Sequence, residues 1–218
     1  MLRYASLSVE EHTMGPTQSF LTEQEVIDKS FQLGANIYAS GFRPSVIVGL
    51  WRGGSAVGIY VQECLQTLGV ASDHIAIRTS YQGAPDYARQ LHSAAPDIQV
   101  HGTQYLLDTL GAEDNLLIVD DVFATGRNTL AVLDHLRSRL RKNFPEAVRI
   151  ACLYEKPSQS RVSLKPDFVI NERDDWLVLP YEIQGLSLEE IKRHKPFVAE
   201  LAERYGLDLP SNHDGEKP

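Results

Sequence analysis

Apolar residues along this chain fall into two alternating rhythms. After an aperiodic lead-in over residues 1–20, Val26, Leu33 and Ile37 share one helical face, and Ile27, Phe31 and Tyr38 a neighbouring one. Thr22 to Glu25 has the form of a capping box in front of them, and Gly41 and Pro44 end the helix. Ser45 to Leu50 is then a short apolar run, the pattern of a buried strand. Gly53-Gly54 opens a second helix through Val57, Tyr60, Val61 and Leu65, ending near Gly69. The pattern predicts further strands at 74–78, 116–119, 148–154 and 168–171, and a sixth at 176–179. Thr129, Val132, Leu133, Leu136 and Leu140 predict a helix behind the 116–119 strand. A last helix is expected over about 187–205, with Ser187 and Glu190 as its capping pair. Residues 80–100 are polar and aperiodic, a pattern shared by functional lids and plain surface loops. Strands alternating with helices imply an α/β fold whose parallel sheet is covered on both faces. In such sheets ligands bind beyond the carboxyl ends of the strands.

Composition narrows the class without changing it. The chain has 218 residues, 43% hydrophobic and 23% charged, which suits a single globular domain over 1–218. A net charge of −8 argues against a general nucleic-acid partner, although backbone amides and a few cations can still hold a small anion. Cys64 and Cys152 lie in apolar surroundings and read as buried thiols. Without an apolar leader or a bilayer-length run, neither secretion nor a membrane is expected, and the cytoplasm is the expected location.

Two strand ends carry unusual chemistry. Leu116-Leu117-Ile118-Val119-Asp120-Asp121-Val122-Phe123-Ala124-Thr125-Gly126-Arg127-Asn128 places adjacent carboxylates at the end of a buried strand, where they need a sugar diol or a magnesium ion between them. The small and polar residues that follow sit where a helix begins, so backbone amides and the helix dipole form an anion cradle. Acids followed by such a cradle describe a ribose 5-phosphate site. An acidic N-cap on a strand–turn–helix explains Asp-Asp alone, but not the whole segment.

The segment resembles the phosphoribosyl-pyrophosphate motif of the type I phosphoribosyltransferases, with the second strand end, Leu50-Trp51-Arg52-Gly53-Gly54, resembling that family's pyrophosphate loop. The resemblance covers roughly residues 45–182. It implies the family's fold, a parallel core sheet flanked by helices over about 24–182. A small hood would be drawn from the N-terminal segment and about 165–185. It also implies that Asp120 and Asp121 hold the ribose, that Ala124, Thr125, Gly126, Arg127 and Asn128 wrap the 5-phosphate, and that Arg52 and Gly53 meet pyrophosphate across a cis Trp51–Arg52 peptide. Ser80 and Tyr81 would begin the flexible loop that closes over the reaction.

A third signature is similar to the 6-oxopurine members. Tyr154-Glu155-Lys156-Pro157 supplies a lysine, Lys156, for the purine 6-oxygen. Trp176-Leu177-Val178-Leu179-Pro180-Tyr181-Glu182 supplies Trp176 to stack on the base, Leu177 for a backbone contact and Glu182 as a magnesium ligand. A lysine ammonium only donates, which suits an oxo group. The resemblance implies transfer of ribose 5-phosphate from phosphoribosyl pyrophosphate to hypoxanthine, guanine or xanthine, with Mg2+, in purine salvage by a homodimer or higher homo-oligomer. One position departs from the pattern. The residue before Thr-Gly, usually the Asp proposed to move a proton at purine N7, is Ala124. A slower transferase, a transferase for another base, and a nucleotide-binding or regulatory protein that performs no turnover are all compatible with that change.

Overall fold

The computed structural model describes residues 18–81 and 98–209. Six strands form the central sheet: β2 (Val46–Trp51), β3 (Asp73–Tyr81), β4 (Ile98–His101), β5 (Asn115–Phe123), β6 (Ala147–Glu155) and β7 (Phe168–Glu172). Their order is β4-β3-β2-β5-β6-β7, parallel throughout except for the antiparallel β3–β4 pair at one edge. Strands β1 (Gln18–Phe20) and β8 (Trp176–Val178) pair with each other in a separate parallel ribbon, Gln18 opposite Trp176. The helices are α1 (Glu23–Ala39), α2 (Gly53–Thr67), α3 (Gln104–Thr109), α4 (Arg127–Leu140), α5 (Leu188–His194) and α6 (Pro196–Tyr205).

The strand periodicity of two sorts the core into two layers. Ile47, Leu117, Val119 and Leu153 turn to the side covered by Leu33 and Ile37 of α1 and by Val57, Val61 and Leu65 of α2. Val48, Leu50, Leu116 and Ile118 turn the other way, onto Leu106 of α3 and Val132, Leu133 and Leu136 of α4. Leu116 to Val119 are completely buried, because β5 is covered on both faces. Each such side chain contributes roughly 1.5–3 kcal/mol by leaving water.

Three expectations need correction. Phe168–Glu172 is not hood but the edge strand of the main sheet, with Cys152 of β6 opposite Val169. The C-terminal helix is two helices. Lys195 leaves helical geometry at φ −137° and Pro196 starts α6, because proline lacks the N–H that a continuous helix would need there. The 80–100 stretch is not all loop: β3 runs to Tyr81 and β4 returns at Ile98. Residues 82–97, most of the expected lid, lie outside the described residues. Among the described residues no helix is long and apolar enough to cross a membrane.

The functional consequence lies at one point of the sheet. From β2 the chain moves outward to β3, whereas β5 lies on the other side of β2 and leads on to β6. The two neighbours β2 and β5 therefore end side by side where the winding reverses, which is where open α/β sheets bind ligands.

Candidate active site

A cleft of about 550 Å³ opens at the carboxyl ends of β2 and β5. One end is walled by Trp51, Arg52 and Gly53, the floor by Asp120, Asp121, Ala124 and Asn128, and the other end by Lys156, Gln159, Trp176 and Leu177. Tyr181 and Glu182, from the segment that follows β8, line it as well. Residues singled out from three separate stretches of sequence thus share one cavity.

The two acids are set by β5. Asp120 and Asp121 continue the strand past its last buried pairs, and Asp121 donates its backbone N–H to the Asp120 carboxylate at 3.0 Å. Burial, with the charge of Asp121 beside it, pushes the Asp120 carboxyl well above the usual range. Such a group is poised for a partner that supplies positive charge or hydroxyl donors.

After β5 the chain turns through Thr125 and Gly126 into α4. Gly126 has φ +72°, and a Cβ there would meet the Phe123 ring and Val162, so only glycine fits. The N-cap Gly126 has no side chain with which to cap the helix, and the first turn of α4 contains no acid. Its leading amides and the positive end of the dipole are therefore suited to an anion. Arg127 donates its N–H to Thr125 Oγ1 at 3.4 Å. Asn128 leaves its Oδ1 buried without a partner among the described residues. Ala124 and Asn128 line the cleft; Thr125, Gly126 and Arg127 form the turn beside it.

The Trp51–Arg52 peptide is cis, as the resemblance implied. Gly53 and Gly54 then allow the first turn of α2 to pass hard against β5. A Cβ at Gly53 would strike the Asp121 carboxylate and the Tyr181 hydroxyl, and one at Gly54 would lie 2.9 Å from Asp120 Cα. Arg52 forms a 3.6 Å ion pair with Glu182 and lies 5.5 Å from the Tyr181 ring centroid.

At the opposite end, Lys156 leaves β6 almost fully buried, with Nζ 5.7 Å from the Trp176 ring centroid. Burial pulls its pKa down, and the charges of Asp175, Asp174 and Glu182 pull it partly back. Trp176 is held by its neighbours. Arg173 grips Asp175 with Nε at 2.9 Å and Nη2 at 2.6 Å, and the same Nη2 donates to Ser19 Oγ of β1 at 2.8 Å. Leu177 is buried opposite Ser19. Glu182 accepts from the Leu179 N–H at 2.9 Å, and Lys195 donates to the Leu179 and Pro180 carbonyls at 3.1 and 2.7 Å.

One expected member stands apart. Ser80 and Tyr81 are the last residues of β3, opposite Gln99 and Ile98; Ser80 is not part of the cleft wall, and its Oγ hydrogen-bonds His101 Nε2 at 2.7 Å. The cleft also holds polar side chains that the sequence does not mark as contacts, Tyr181 and Gln159 among them. Tyr181 donates its hydroxyl to Asp121, with its pKa raised by burial and by that charge. Gln159 belongs to the short turn Pro157–Gln159 after Lys156. The Pro-Tyr-Glu spelling offered a signal for Tyr181; nothing distinguished Gln159 from an ordinary polar turn residue.

All-oxygen donors such as Asp120, Asp121 and Glu182 suit a hard cation. Among the described residues no three His, Cys, Asp or Glu side chains converge as a self-contained metal site. Magnesium takes one or two carboxylates and completes its shell with substrate oxygens and water.

Comparison with known proteins agrees with the geometry. Residues 17–185 match the phosphoribosyl transferase domain, and the chain belongs to that family. It is 25% identical over 185 residues to the hypoxanthine-guanine phosphoribosyltransferase of Streptococcus mutans, covering 84% of this chain and 91% of that protein. Among solved structures it resembles a purine phosphoribosyltransferase from Pyrococcus horikoshii, with TM-score 0.56 and 24% identity over 78% of this chain and 97% of that one. It also resembles a hypothetical protein from Neisseria gonorrhoeae with bound ppGpp, with TM-score 0.64 and 16% identity over 87% of this chain and 99% of that one. The architecture is the type I phosphoribosyltransferase fold expected from the sequence.

Proposed function

We propose that the protein transfers ribose 5-phosphate from phosphoribosyl pyrophosphate to N9 of a 6-oxopurine, with Mg2+. The observation that carries this reading is the sharing of one cleft by the Asp120–Asp121 pair and the Lys156–Trp176 pair. The first pair suits a ribose diol. The second suits a flat base with an oxo group, since an ammonium donates and an indole face stacks for roughly 1–3 kcal/mol. Arg52 and the backbone at Gly53 would receive pyrophosphate, and the turn from Ala124 through Thr125, Gly126 and Arg127 to Asn128 the 5-phosphate. Leu177 would meet the base through its backbone. Magnesium near Asp120, Asp121 and Glu182 would neutralise charge on the departing pyrophosphate.

In the reaction the C1′–oxygen bond to pyrophosphate breaks, N9 bonds to C1′, and the N9 proton leaves. Positive charge develops on the ribose ring, beside the two acids. Water must be kept from that centre, a task that would fall to Tyr181 and Glu182 in the cleft wall.

The test supplies magnesium, phosphoribosyl pyrophosphate and hypoxanthine, guanine or xanthine, and measures nucleotide and pyrophosphate. The proposal fails if no base gives nucleotide with either the native protein or Ala124→Asp. Ala124 favours one second reading, a protein that binds the ribosyl donor or a nucleotide without turnover. Calorimetric nucleotide binding without pyrophosphate release, persisting in Ala124→Asp, would support it.

A further inference from the structure

We propose that Gln159 reads the N7 edge of the bound base, at the place where Ala124 leaves the floor without a polar group. The inference rests on the 6-oxopurine reading above. Its geometry comes from two backbone hydrogen bonds that flank Ala124. Lys156 donates its N–H to the Phe123 carbonyl at 2.9 Å, and Arg161 donates its N–H to the Thr125 carbonyl at 3.1 Å. Between these two clamps, the Pro157–Gln159 turn is closed by Gln159 N–H to the Lys156 carbonyl at 3.0 Å. Gln159 is therefore held in the stretch that runs alongside Ala124, and Ala124, Lys156 and Gln159 all line the cleft. The Gln159 carboxamide makes no hydrogen bond among the described residues and is available to a ligand.

The chemistry of the base makes the match. A 6-oxopurine carries O6 and N7 as adjacent acceptors on one edge. With the Lys156 ammonium at O6, N7 faces the next donor along the same wall. A carboxamide has two N–H donors, whereas an ionised carboxylate has none. Gln159 binds N7 without giving up a proton, so it selects and orients the base and relays nothing.

The decisive measurement is calorimetric binding of inosine and guanosine 5′-monophosphates and of their 7-deaza analogues, in which C–H replaces N7. Wild type, Gln159→Leu and Gln159→Glu are compared, with thermal melting to show that the variants fold. In the wild type the 7-deaza nucleotides bind roughly five- to tenfold more weakly than their parents, the worth of one neutral hydrogen bond. Gln159→Leu weakens the parent nucleotides by a similar factor and leaves the 7-deaza ones unchanged. Gln159→Glu, which keeps the stem and removes the donor, weakens the parents at least as much. Equal losses for parent and analogue, or no loss in either variant, overturn the role of Gln159 and leave the 6-oxopurine reading standing. If neither parent nucleotide binds the wild type, that reading fails and this inference with it.

Discussion

Replacing Lys156 with methionine separates what the side chain does for the fold from what it does for a ligand. The lysine is almost fully buried, yet its ammonium faces acids at Asp174, Asp175 and Glu182. Two opposed effects act on it, and desolvation is the larger, so the folded state holds the charge at a net cost. Methionine keeps the length and apolar stem without the charge. The variant is therefore expected to melt higher, by roughly 2–4 °C for each 1 kcal/mol of cost relieved. The sign of the pH dependence follows from a folded pKa below the ordinary 10.5. Between those two values the unfolded chain binds more protons, so wild-type stability rises with pH there. The advantage of the methionine variant is full at neutral pH and shrinks as pH approaches 10.5. Binding moves the other way. A hydrogen bond from a charged donor is worth about 1.5–3 kcal/mol, so 6-oxopurine nucleotides should bind roughly 10- to 150-fold more weakly. Differential scanning calorimetry and nucleotide titration read the two effects on one sample. A variant that melts lower and binds nucleotide as well as wild type would refute the reasoning and make Lys156 a structural residue.

Further expectations follow from single sites. Gly126→Ala forces a side chain into a left-handed position against Phe123 and Val162; it should cost roughly 2–5 kcal/mol in denaturant unfolding and weaken phosphoribosyl pyrophosphate binding. His74 has a buried Nε2 without a partner among the described residues, and burial holds its pKa below 6.5 against the pull of Asp73. Its neutral form is favoured in the folded state, so stability falls as pH drops below 6.5, and His74→Gln should flatten that slope in urea titrations; an unchanged slope counts against it. Tyr181→Phe frees Asp121 from the tyrosine hydroxyl and should lower the KM for phosphoribosyl pyrophosphate by up to about tenfold; a raised KM would mean that the hydroxyl assists the donor instead.

Much of the sheet was legible because β5 and β2 are buried on both faces, and continuous apolar runs have few other uses in a chain with this alternation. The missed elements are those whose pattern is too short to register. β1 has three residues, β4 four and α3 six, and each is defined by its partners rather than by its own sequence. The break between α5 and α6 is marked in the sequence by Pro196, which starts α6. In the site, the residues at the β2, β5 and β6 ends were readable because their types are unusual for a strand end. The contacts that assemble them span the chain. Tyr181 reaches Asp121 across 60 residues, and Arg173 reaches Ser19 across 154. Local spacing holds no trace of such pairs.

Both tryptophans of the chain, Trp51 and Trp176, line the cleft, one at the Arg52–Gly53 end and the other beside Lys156. Trp51 is 58% exposed, whereas Trp176 is half-buried in the β1–β8 ribbon. The protein's tryptophan emission therefore originates wholly at the two ends of one cavity. Excited near 295 nm, a wavelength tryptophan shares with no other side chain to a comparable degree, a Trp51→Phe variant reports on the base end alone and a Trp176→Phe variant on the pyrophosphate end alone. The order in which donor and base enter can then be followed optically, without a label.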